Sequence, residues 1–231
     1  MWAECAFAKL ARQGAVPGGF MSLRSIVEGL RARLDEKNQV REAVFARSRD
    51  LVRLCANAIR ATHRADLAQA RELLQRADEL AAQMRRSLAE HPDIYFAGYT
   101  QDALKEYAEA HITHAVLTDA EVPSPEELGV EPAAYLNGLA EALGEMRRHV
   151  LDLIREDRLE RAEEILAIMD EAYWLLMTVD FPEAVTGGLR RNTDMVRMVL
   201  ERTRSDLTVA QDSARLRLAL DRFKEHMRGG D

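Results

Sequence analysis

Between Ser22 and His91 the chain has no proline, and Gly29 is its only glycine. Nothing in that stretch stops a helix, and the apolar residues keep helical spacing: Leu23, Ile26, Val27, Leu30 and Leu34, then Val44, Leu51, Val52, Cys55 and Ile59. With Ser22 as N-cap, the pattern predicts a first helix running to about Thr62. Helices of that length belong to bundles, coiled coils or assemblies, because an isolated helix gains its stability from what it packs against.

The rest of the chain continues in the same manner. A second helix is expected from near Asp66 to the stop at His91-Pro92, and a third from about Thr100 to Leu117 after an aromatic piece, Ile94 to Tyr99. The connector Asp119 to Glu131 holds two of the six prolines, and Ser124-Pro125-Glu126-Glu127 in it has the capping pattern of a short helix. A fourth helix is predicted over about Pro132 to Arg155 and a fifth over about Arg158 to Thr178. Asp180-Phe181-Pro182-Glu183 resembles a capping box opening a sixth, and a last helix covers about Thr208 to Arg228. No strand alternation or internal repeat is visible. The expectation is an all-α bundle of about seven helices, with residues 1–21 a loose N-terminal extension and residues 22–231 one helical domain.

Charge and cysteine content narrow the function classes. The net charge of −7 excludes a chain that coats nucleic acid with basic surface, though a local arginine patch stays open. Cys5 and Cys55 form neither a disulfide framework nor a metal spacing, which points to a reducing, cytoplasmic setting. No apolar run suffices to span a bilayer.

Asp170 is the most informative carboxylate. Its same-face neighbours on the fifth helix are Leu166, Tyr173, Trp174 and Met177, and a carboxylate beside an apolar stripe needs a partner: a cation of the chain, a hydrogen-bond network or a metal. Glu106 and Glu109 stand three apart on the third helix, and Glu141 and Glu145 four apart on the fourth, so each pair shares a face. Carboxylates brought together from several bundle helices suit Mg²⁺ or Mn²⁺. Periodicity alone assigns Glu106 and Glu109 to a solvated face, opposite the stripe Leu104, Ala108, His111, Ile112 and Ala115. His111 and His114 lack the further ligands of a zinc site. Gly187-Gly188 follows no strand and is no phosphate loop. Arg190, Arg191 and Arg197 open a basic segment that also carries Asp194, Glu201 and Asp206, so intrahelical pairing and RNA contact both remain open.

Gly188-Leu189-Arg190-Arg191-Asn192-Thr193-Asp194, with Glu201 to Thr208 after it, resembles the C-terminal signature of the translin family. Ala134 to Glu145 is similar to that family's central helix, and Phe181-Pro182-Glu183-Ala184 fits as well. The resemblance extends from Ser22 to about Thr208. The basic motif that translin proper carries before its third helix is missing, since Ile94 to Tyr99 holds no basic residue. Glu106-Tyr107-Ala108-Glu109 instead resembles the motif of the translin-associated factor X branch, whose members are metal-dependent ribonucleases. The resemblance implies Glu106, Glu109 and Asp170 as catalytic acids, with Glu145 as a further ligand of one Mg²⁺ or Mn²⁺. It further implies a hollow homo-oligomer, an octamer, with acidic sites facing inward; with the basic motif missing, RNA contact is expected of Arg190, Arg191 and Arg197 instead. The expected activity is endonucleolytic cleavage of single-stranded RNA. The alternative is a non-catalytic oligomer that binds RNA or single-stranded DNA, and a third is a purely structural scaffold.

Overall fold

The computed structural model describes residues 22–228; the expected N-terminal extension and Cys5 lie outside the described residues. Nine helices and no strand occur among the described residues. Six are long: α1 (Leu23–His63), α2 (Leu67–Ser87), α4 (Gly98–Leu117), α6 (Pro132–Arg155), α7 (Leu159–Met177) and α9 (Leu189–Arg228). Three are single turns: α3 (Pro92–Tyr95), α5 (Pro125–Leu128) and α8 (Glu183–Thr186). The chain divides into two compact units at Val40, inside α1. Residues 23–39 of the first unit are exposed, including the stripe Leu23, Ile26, Val27, Leu30 and Leu34.

The local signals explain most helix ends. The Asp66 carboxylate caps α2 by accepting from Gln69 N at 3.2 Å. Ser124 and Glu127 form the reciprocal capping box of α5, and Gly129 closes it in the left-handed conformation. Two expectations are corrected. The predicted sixth and last helices are one helix of 40 residues, α9, because Leu189 to Arg228 contains no proline or glycine to part them. No capping box forms at Asp180 either: Pro182 is itself the N-cap of the single turn α8, which ends at Gly187, and the chain reverses there through positive φ at Gly187 and Gly188.

In the second unit α6 is the central element, packed against α4, α7 and α9, while α2 lies on α4. Leu104, Ile112, Leu143, Met146, Leu153, Ile165, Met169 and Leu207 form the buried core. The second half of α1 joins it with Val44, Leu51, Cys55 and Ile59, and Thr62 Oγ1 reaches His114 Nδ1 on α4 at 3.1 Å. The α4–α6 crossing is unusually close. A Cβ added at Gly138 would lie 2.7 Å from the Lys105 carbonyl and 3.0 Å from both Ala108 Cβ and Glu109 N. Only glycine permits backbone contact at that point.

Candidate functional site

The Gly138 contact sets the geometry of the acidic site. It presses the turn of α4 that carries Lys105, Glu106 and Glu109 onto the turn of α6 that carries Glu141. Glu106, Glu109 and Glu141 each offer a carboxylate oxygen, and the three oxygens lie within 4.8 Å of one another. This set could hold a metal ion.

Charge is only partly balanced there. Lys105 Nζ donates to Glu141 at 2.5 and 2.6 Å and stands 3.3 Å from Glu106 Oε1. Partial burial opposes the charge of that ammonium, but Glu141 and Glu106 outweigh it and raise its pKa. Glu109 is 9 % exposed and accepts no hydrogen bond from the described residues. Burial, reinforced by Glu106, Glu141 and Glu145, pushes its pKa up to about 8. Three carboxylates facing one ammonium leave up to two negative charges uncompensated, an arrangement that calls for a proton or a cation.

The remaining expected acids have partners of their own. Glu145 lies one turn beyond Glu141, but its Oε2 meets His63 Nε2 at 2.5 Å and Arg148 Nη1 at 3.8 Å. The hydrogen bond from His63 lowers its pKa despite partial burial. Asp170 does not join the acidic set. Its Oδ1 accepts from Arg204 Nη2 of α9 at 2.5 Å. On α7 Leu166 is buried but Trp174 and Met177 are 66 % and 51 % exposed, so Asp170 stands at the edge of the core, where solvent shares its charge with Arg204. Among the described residues it is Glu141 that stands with Glu106 and Glu109. Its same-face pairing with Glu145 was visible, but the backbone contact that carries it to α4 was not.

The solvated-face reading of α4 is corrected too. This helix is buried on nearly all sides, Tyr107 and Glu109 included, so its apolar stripe does not mark its only packed face. His111 Nε2 lies 2.9 Å from Asp78 Oδ1, which also accepts from Tyr107 Oη at 2.5 Å. Wholly buried Cys55 on α1 feels the same surroundings: burial first, then Glu106, Glu109 and Asp78, push its thiol pKa up.

Two cavities flank the carboxylates and share Glu141 and Asn192. The smaller, about 360 Å³, is lined by Glu106, Glu109, Met195 and Val199. The larger, about 760 Å³, extends past Lys105 and Gln101 to Phe96 and Val185. Asn137 braces the wall between α6 and the turn before α9. Its Nδ2 donates to Thr186 O at 2.7 Å and Ala133 O at 2.8 Å, and its Oδ1 accepts from Asn192 Nδ2 at 2.8 Å. Arg190, Arg191 and Arg197 are exposed on the first turns of α9, and among the described residues none makes an ion pair. The acids interleaved with this segment do not take them up: Asp206 binds Arg147 at 2.8 Å. No described helix is long and apolar enough to cross a membrane.

No protein-family model matches the chain. An uncharacterized protein of Methanocaldococcus jannaschii is 33 % identical over 194 residues, covering 83 % of this chain and 85 % of that one. Among solved structures, AfC3PO, determined alone and as a complex with duplex RNA, superposes with a TM-score of 0.74 at 32 % identity, over 81 % of this chain and 97 % of that one. NeC3PO superposes equally well at 21 % identity, over 84 % of this chain and all of that one, a likeness of fold. The all-helical architecture, the relative in an archaeon and the identity shared with AfC3PO agree: the chain belongs to the translin family of C3PO proteins.

Proposed function

We propose that this protein is a metal-dependent endoribonuclease of the translin-associated factor X type, cutting single-stranded RNA at Glu106, Glu109 and Glu141. The observation that carries the reading is Glu109: a buried carboxylate without a hydrogen-bond donor, within 4.8 Å of two others. An all-oxygen donor set of this charge fits Mg²⁺ or Mn²⁺ better than zinc or copper. Bound there, such an ion would supply Lewis-acid polarisation of a phosphodiester and offset the charge of its transition state. The chain's own residues do the positioning. Gly138 fixes the spacing of α4 and α6, Lys105 holds Glu141 and Glu106 in place, and Glu145, anchored by His63, keeps further negative charge beside Glu109. Arg190, Arg191 and Arg197, exposed and unpaired, supply phosphate contacts beside Asn192. The structure of AfC3PO with duplex RNA supports RNA as the ligand class.

Assembly into a homo-octamer in the cytoplasm belongs to the same reading. It is supported by the outward apolar residues Trp174, Met177 and Phe181, more than one chain leaves bare without a purpose. Native mass spectrometry tests it, and a monomer at micromolar concentration counts against it.

Cleavage of a labelled single-stranded RNA with Mg²⁺, with Mn²⁺ and with EDTA tests the activity, beside Glu109→Gln and Asp170→Asn. Metal-dependent cutting lost with Glu109→Gln supports the site; cutting lost only with Asp170→Asn moves it to α7. The second reading, an oligomer that binds RNA or single-stranded DNA without turnover, is favoured by Lys105, which already sits against two of the three carboxylates. Metal-independent retention of RNA without cleavage selects it.

A further inference from the structure

The larger cavity has a graded wall. Helix α4 presents Lys105, Gln101 and Gly98 to it, each about one turn from the next, with Phe96 just before the helix begins. From Lys105 to Gly98 is roughly 10 Å along the axis. Alongside, α6 runs in the same direction from Pro132 to Glu141, since Tyr95 Oη meets Glu131 at 3.2 Å at one end and Lys105 meets Glu141 at the other. The cavity therefore starts at the carboxylates and leads back to the origin of both helices, where it is walled by Phe96 and Val185, 61 % and 63 % exposed.

We infer that this cavity is a nucleoside subsite, holding the unpaired nucleotide next to the phosphate that lies at Glu106, Glu109 and Glu141. The inference rests on the proposed reaction for the position of that phosphate. Three features of the wall match three parts of a nucleotide. Phe96, held edge-on by Tyr95 with ring centroids 4.9 Å apart, offers a face for a base to stack on. Gln101 and Asn192 are half-buried carboxamides with hydrogen-bonding capacity to spare. Gln101 uses Nε2 on Tyr95 O at 2.8 Å, and Asn192 uses Nδ2 on Asn137, which leaves both carbonyl oxygens and one N–H of each for a ligand. A carboxamide offers donor and acceptor side by side, the pattern of a base edge. Lys105 stands between this end and the carboxylates, where a phosphate would enter. A simple anion would leave Phe96 and Val185 without a role, and an apolar ligand would leave the amides unpaired. At about 760 Å³ the cavity has room for a nucleotide.

The test uses the full chain, adenosine 5′-monophosphate as probe and inorganic phosphate as control. Two variants bracket the cavity. Phe96→Ala removes the stacking face, and Ala133→Leu fills space beside Asn137. Titration calorimetry should show the nucleotide binding more tightly than phosphate, and weakening about tenfold in each variant, in the range set by loss of one stacked base. RNA cleavage should show KM raised by a similar factor in Phe96→Ala with kcat within about twofold. Nucleotide affinity and KM unchanged in both variants overturn the subsite, and leave the cleavage reading standing if wild-type protein still cuts RNA. Nucleotide binding that is lost in the variants, in a protein that never cuts RNA, keeps the subsite and overturns the reaction. A crystal soaked with the nucleotide gives a second check, and adenine lying away from Phe96 also overturns the subsite.

Discussion

Glu109 and Asp170 are both carboxylates in mid-helix, and they live under opposite conditions. Asp170, on α7, has a cation of its own: Arg204, half-exposed on α9, reaches it at 2.5 Å where solvent still enters. Glu109, on α4, is enclosed by two further acids with one ammonium for all three, and that ammonium sits on its neighbours. The first arrangement is complete within the chain. The second is not, and its incompleteness is what marks a candidate site. A carboxylate is informative by the charge left over around it, not by its residue type or by the apolar residues near it in sequence.

The largest expected effect tests that contrast directly. Glu109→Gln or Glu141→Gln should lower metal-dependent cleavage by more than about a hundredfold, beyond what loss of an outer partner of a metal ligand costs. Asp170→Asn should retain more than about half the rate; equal losses in the two would erase the distinction drawn here. Next comes pH. The Glu109 pKa is raised from its ordinary 4.5 to about 8, so the folded protein holds a proton that the unfolded chain has lost. The metal-free protein should therefore lose stability as pH rises from about 4.5 to about 8, by on the order of a few kcal/mol. Glu109→Gln should flatten that slope, and so should saturating Mg²⁺, which replaces the proton. Thermal melts across that range with EDTA read it, and a slope unchanged in the variant would show that Glu109 is already ionised and paired.

Smaller is the effect of Gly138→Ala. The added methyl meets backbone at 2.7 Å, so α4 and α6 must part by some tenths of an ångström. A loss of about 1–3 kcal/mol is expected in urea melts, with a larger fall in cleavage at limiting Mg²⁺ than at saturation. Smallest is Asp170→Asn in stability: a partly exposed pair contributes about 1 kcal/mol or less, and a shift well above that would mean Asp170 does more than meet Arg204.

The sequence shows the helices well because it lacks breakers. One uninterrupted stretch becomes the 41-residue α1, and the same rule, applied to Leu189 to Arg228, would have joined the two helices that were drawn apart. Part of the site was equally legible: Glu106 and Glu109 share a face at any three-residue spacing. Their third partner was not. The approach of Glu141 to these two depends on the backbone contact at Gly138, and an isolated glycine in a helical stretch carries no label saying which neighbour comes close. The burial of Glu109 was hidden for a related reason. Periodicity reads a helix with one packed face, and α4 is enclosed on several.

Cys55 turns the same enclosure into a clock. Its thiol is held protonated by burial first and by the nearby acids second, so it is inert to alkylating reagents while α1 stays seated on its neighbours. In a Cys5→Ser background, the rate at which Cys55 takes up label counts how often this part of α1 lifts from the core.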